Sequence, residues 1–146
     1  MGDGLSSGLY RLLAERKILK ARTTRVMVSK ELEAAESDLR DARSSLAAGN
    51  AKWATIQGYY SMFHAARALL YDAGYREKSH SALLAAMKHL YARKLGPRLI
   101  DSFRDAMELR EEADYNLKFS NESAGSTVEG AQAFLDGVKG LLNYRS

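Results

Sequence analysis

Apolar residues along this 146-residue chain recur at spacings of three and four, and no run alternates with period two for long enough to suggest a sheet. The pattern predicts an all-α chain. A first short helix is expected over about 8–21, carried by Leu9, Leu12, Leu13 and Ile18. The β-branched stretch 23–28 is either a break or a continuation. A second helix is expected over about 29–48, with Ser29 as N-cap and Gly49-Asn50 as its left-handed stop. The third covers about 51–73 and stops at Gly74, and the fourth runs from an N-cap at Ser79 to about Lys94. Pro97 opens a fifth, in the first turn where proline costs little, which continues to about Phe119. After a loop over 120–125, Ser126 and Glu129 have capping-box spacing and open a last helix to about Tyr144.

The second, third, fifth and sixth of these are long. Short loops make sequence neighbours into space neighbours, so the expected architecture is an up-and-down antiparallel helical bundle of four long helices plus shorter ones. The third helix is its apolar centre: Ile56, Tyr59, Tyr60, Phe63, Ala66 and Leu70 form one stripe, with Trp53, Met62 and Leu69 on adjoining faces. A helix apolar over so much of its circumference is either central or shared with a second subunit, and a homodimer is expected.

A chain of this length is one domain and can bury a core without staples. With no cysteine it has no disulfide frame and no thiolate zinc site. No apolar run approaches the ~20 residues that span a bilayer, and the N-terminus lacks a basic start followed by an apolar stretch. A cytoplasmic protein without membrane contact is expected. The net charge of +4 is unevenly placed: residues 1–30 hold seven Lys/Arg against two Asp/Glu, and the remainder is close to neutral. The high pI therefore belongs to the N-terminal segment. Arg11, Arg16, Lys17, Lys20, Arg22 and Arg25 could meet phosphates or an acidic surface, or form a solvated basic arm.

Arg110 falls on the core stripe of the fifth helix, Leu99-Phe103-Ala106-Arg110-Ala113-Leu117, between two alanines that leave room for its head group. A charge there needs a partner, and Asp114, one turn later, is the natural one. The pair is either a tie between helices or an anion-binding guanidinium in a cleft. Tyr115 adds an aromatic body with a polar tip. At the start of the fourth helix, Lys78, Ser79 and His80 could together hold a phosphate, or Ser79 could simply cap. His64 reads as a satisfied core or interface histidine, and His89 as a surface residue. Glu77-x-x-His80 is half of a di-iron pattern that needs two copies and two more glutamates, so no metal site and no cofactor is expected.

Three stretches together resemble the HEPN superfamily, in the prokaryotic branch marked by Arg-x-x-Ala-Asp-Tyr. Here that motif is complete in residues 110–115; a Tyr-Tyr-x-Met-Phe-His-Ala-Ala helix is present at 59–66 and Lys-Ser-His at 78–80. The resemblance covers about 29–144, and it implies that residues 1–28 are a basic helical extension ahead of a bundle domain over 29–146. It implies a helical bundle that usually dimerises. It further implies either a metal-independent ribonuclease or the partner of a small nucleotidyltransferase in a toxin–antitoxin-like pair. The ribonucleases place a histidine after their arginine with four to six residues between the two. The corresponding positions here are Tyr115, Asn116 and Leu117, so that pair is missing.

The leading expectation is a dimeric module that binds nucleotide, RNA or a nucleotidyltransferase partner, with Tyr60, Lys78, Ser79, His80, Arg110, Asp114 and Tyr115 as ligand-binding candidates. The alternative is a ribonuclease in which Arg110 steadies the phosphate and His64 or His80, from another helix, supplies acid–base help. A purely structural dimer is the third reading.

Overall fold

The periodic segments fold, in order, as α1 (Asp3–Ala14), β1 (Ile18–Lys20), α2 (Arg25–Ala47), α3 (Ala51–Asp72), β2 (Tyr75–Glu77), α4 (His80–Leu90), α5 (Ala92–Leu95), α6 (Pro97–Tyr115) and α7 (Asn121–Leu142). This computed structural model describes residues 3–115 and 119–143, with side chains from residue 7 onward except at 113–115. Its class is the expected one, an all-α bundle, with one small antiparallel ribbon added.

α3 is the centre. It packs against α2, α6 and α7, and its buried side chains point in most directions around its axis. Alanines at 35, 42, 54, 65 and 66, all buried, let α2 and α3 approach closely. Ser61 Oγ crosses that interface and donates to the Ala35 carbonyl at 2.8 Å. On the other side Gly58 faces Thr127 of α7, where an added Cβ would lie 2.9 Å from the Thr127 Cγ2. The apolar circumference of α3 is thus largely covered within one protomer. Trp53 is the exception among the apolar residues named for this helix, half exposed near its start.

Several boundaries differ from the expected ones. The first helix stops at Ala14, and residues 18–20 form a strand instead of its last turn. Strands of three residues are too short to show alternation, so a helical spacing of leucines hides them. α2 begins before Ser29, because Thr24 takes the cap: its Oγ1 accepts from Met27 N at 3.2 Å. α7 likewise starts earlier, on Ser120, whose Oγ accepts from Ser123 N at 2.9 Å, and Ser126 lies inside the helix. Ser79 caps α4 as expected, accepting from Ala82 N at 3.0 Å. The expected fourth helix breaks at Tyr91 into α4 and α5.

The basic N-terminal segment folds back on the bundle. Leu12 and Ile18 are fully buried in the same core as α3. β1 pairs antiparallel with β2 in the register Ile18–Glu77, Leu19–Arg76, Lys20–Tyr75. The ladder extends at both ends through Ala21 N to Gly74 O and Lys78 N to Lys17 O, each 3.0 Å. This pairing fixes the corner between α3 and α4, and so the place of His80.

Candidate functional site

Three of the proposed ligand-binding residues come together where α3, α4 and α6 meet. Tyr60 and His80 are half-buried, their rings edge to face at 6.2 Å. The Arg110 guanidinium lies over the rings of Tyr59 and Tyr60, 5.2 and 6.0 Å from their centroids. Such placement is favourable because the ring face is the negative end of its quadrupole. Tyr59 and Phe63, quoted above only as parts of a helix pattern, are the other walls. Phe63 stacks on His80 at 4.4 Å, and Tyr59 stacks on Phe103 at 6.0 Å.

Hydrogen bonding orders this cluster. The Tyr59 hydroxyl and His80 Nδ1 are 2.6 Å apart. Burial raises the Tyr59 pKa well above that of an ordinary phenol, so the hydroxyl keeps its proton. The positive charge of Arg110, over the Tyr59 ring, opposes that rise without cancelling it. The protonated Tyr59 hydroxyl is a donor within reach of His80 Nδ1. Burial lowers the His80 pKa below its ordinary 6.5, and the positive charges of Arg110 and Arg67 lower it further, against a smaller opposing effect of Glu111. His80 is therefore neutral at pH 7, Nδ1 accepts, and the remaining proton sits on Nε2. The Tyr59–His80 bond thus leaves a neutral N–H donor on a half-buried ring, in a cluster that also holds the Arg110 guanidinium.

The other candidates are placed differently. Lys78 and Ser79 are exposed, and the Ser79 hydroxyl is occupied by capping. The side chains of Asp114 and Tyr115 lie outside the described residues. His64 faces α2, with Nδ1 2.8 Å from Glu31 Oε1 and Nε2 3.6 Å from Asp38 Oδ2. It is a satisfied histidine held between two carboxylates, touching the ring cluster only through an edge-to-face contact with Phe63 at 5.5 Å. Burial raises the Asp38 pKa, partly offset by His64.

Arg67 links the two groups. Its Nε lies 3.0 Å from Glu77 Oε2, its Nη1 is 3.7 Å from Glu31 Oε1, and its Cζ sits 5.4 Å above the Phe63 ring. It also donates to the Tyr71 hydroxyl. Glu77 is almost wholly buried and supports Arg67 instead of serving as half of a metal motif. The reasoning that singled out Arg110, a cation on the apolar side of its helix, also applies to Arg67, which lies one turn beyond Phe63 in the most buried helix of the chain. Tyr59 carries no comparable signal, since a tyrosine in an apolar stripe reads as core.

The fold is a helical bundle in which an arginine and a histidine from different helices meet the same aromatic rings. A family model described as HEPN domain matches residues 28–143, and the chain belongs to that family. It is similar to a UPF0332 protein of Archaeoglobus fulgidus, 29% identical over 113 residues that span 75% of this chain and 90% of that protein. It is also similar to a protein of Methanocaldococcus jannaschii named as a "putative toxin", 28% identical over 130 residues, 86% of this chain and 88% of that one. Among the described residues no helix is long and apolar enough to cross a membrane.

Proposed function

We propose that this HEPN protein is a toxin-like RNA-binding module whose ligand sits on the Tyr59–Tyr60–Phe63–His80–Arg110 cluster. The observation that carries the reading is the 2.6 Å contact between the Tyr59 hydroxyl and His80 Nδ1, with the Arg110 guanidinium over the Tyr59 ring. This arrangement offers a fixed positive charge and a neutral N–H donor to phosphate oxygens, beside aromatic faces on which a base can stack. The toxin-named relative supports the toxin-like part of the reading. A homodimer and a nucleotidyltransferase-fold partner, implied by the family resemblance, belong to the same proposal. Binding of a short fluorescent single-stranded RNA to wild type, Arg110→Ala and His80→Ala tests it. Weaker binding by both variants, each still folded, is expected; undiminished binding by both would sink it.

The second reading is a metal-independent ribonuclease. It is favoured by the neutrality of His80 beside Arg110, which supplies in space the arginine–histidine pair that α6 lacks in sequence. For His80 Nε2 to take a proton, Tyr59 must turn its hydroxyl to accept from Nδ1 instead of donating to it. RNA cleavage in the presence of EDTA, lost in His80→Ala, would establish this activity; intact RNA after prolonged incubation with wild type would exclude it.

A further inference from the structure

The β1–β2 ribbon places positive charges from the two ends of the chain's sequence pattern side by side. Continuing the strand register by one step sets Lys17 opposite Lys78, as the Lys78 N to Lys17 O bond of 3.0 Å requires. Alternation along the strands puts both lysines on the face of Leu19 and Arg76, away from buried Ile18 and Glu77. Arg16, Lys17, Lys20, Arg22, Arg76 and Lys78 are all exposed. The acids nearby are few and engaged. Glu15 pairs with Arg11 at 3.3 Å and Lys17 at 3.2 Å, and Glu77 turns inward to Arg67.

Two of these charges sit where local physics disfavours them. Like charges directly across an antiparallel pair repel. Arg16 is the second case. α1 ends with Lys17 N bonded to Leu12 O at 2.9 Å and Arg16 N to Leu13 O at 3.1 Å, the double bond pattern of a Schellman cap. Arg16 occupies the left-handed position of that cap, at φ 57, which glycine fills at least cost. Positive charge thus stands at both places against the preference of the backbone or of its neighbour, relieved at Lys17 in part by Glu15.

The ribbon is also continuous with the aromatic cluster. Glu77 on its inner face holds Arg67, Arg67 covers Phe63, and Phe63 stacks on His80. We propose that the outer face of the β1–β2 ribbon is a phosphate-backbone track for single-stranded RNA, carrying the strand whose base or phosphate enters the His80–Arg110 cluster. The inference rests on the RNA-binding reading and extends it to the segment 16–22, which lies before the family match at 28–143.

The test is equilibrium binding of a short fluorescent single-stranded RNA of mixed sequence over a potassium chloride series. The proteins compared are wild type, Arg110→Ala, Arg16→Gly and the triple variant Lys17→Gln/Arg76→Gln/Lys78→Gln. Each lost phosphate contact should lower the slope of log affinity against log salt by about 0.7, so about 2 for the triple variant, with affinity at low salt down about tenfold or more. Arg16→Gly should lower the slope by about 0.7 while raising the thermal midpoint, because glycine relieves the cap. Unchanged slopes in both ribbon variants, with binding lost in Arg110→Ala, would overturn the track and leave the cluster standing. Reduced slopes in the ribbon variants with Arg110→Ala unaffected would support the track and remove the cluster. Tighter binding of polyglutamate than of RNA would overturn the track in favour of an acidic protein surface.

Discussion

Tyr59 on α3 and His80 at the start of α4 meet hydroxyl to ring nitrogen at 2.6 Å, and the direction of that bond fixes which proton His80 presents. Tyr59→Phe removes the hydroxyl and leaves Nδ1 without its donor. The expected result is a loss of about 1–3 kcal/mol, the cost of a buried polar group left unsatisfied. Nitrogen-detected NMR of the imidazole should show the Nε2–H tautomer in wild type and a mixture in the variant. The same tautomer in both would show that Tyr59 does not direct it.

His80 also gives the fold a pH dependence of known sign. Burial, then Arg110 and Arg67, hold its folded pKa below the ordinary 6.5. Between that lowered value and 6.5 the unfolded chain binds more protons than the folded one, so stability rises with pH across the window. The contribution is complete above 6.5 and is lost as the pH falls through the window. Urea midpoints measured from about pH 7.5 down to about pH 5 should fall more steeply for wild type than for His80→Gln. Parallel curves would remove His80 as the source.

Arg67 is held by Glu77 at 3.0 Å and by the rings of Phe63 and Tyr71. Arg67→Met keeps much of the volume but strands the Glu77 carboxylate in the interior. A destabilisation of about 3 kcal/mol is expected, since a buried charge without its partner costs far more than the pair contributes. Restoring stability with the double variant Arg67→Met/Glu77→Leu, read by denaturant unfolding, would confirm the cause. A double variant no more stable than the single one would refute it.

Gly58 precedes Tyr59 and faces Thr127 across the α3–α7 contact. A methyl group at this position would lie 2.9 Å from the Thr127 Cγ2, so that the Thr127 side chain must turn or the helices must part. Gly58→Ala should cost about 1–3 kcal/mol by overpacking, despite alanine's better helix propensity. Gly58→Ala combined with Thr127→Ser, which removes that Cγ2, should recover part of the loss. A stabilised single variant would show that the α3–α7 contact opens readily enough to admit the methyl group.

The N-terminal segment behaves here as part of the core. Leu12 is 1% exposed, so Leu12→Ala should cost about 2–5 kcal/mol, as for any buried leucine whose cavity cannot collapse. Because β1 holds β2, amide exchange at residues 75–80 should quicken in the same variant. Unchanged exchange there would mean that the corner bearing His80 stands without the arm.

Much of this was readable in the chain alone. The 3.6-residue period of apolar positions determined the helices, because burying one face of a helix requires that spacing wherever the helix ends up. The Ser79 cap and the half-buried Arg110 were legible for the same reason: each is a local conflict or a local bond that sequence neighbours define. The β1–β2 pairing, the Tyr59–His80 bond and the Arg67–Glu77 pair were not. Each joins residues from different elements, and nothing in either partner's own neighbourhood distinguishes it from core, surface or cap. Tyr59 is a stripe tyrosine until the ribbon sets the start of α4 against it, and Lys17 and Lys78 are separate surface lysines until the register brings them opposite. Tertiary structure decided these, because a contact across the fold depends on where two elements are held relative to each other, which no local spacing encodes.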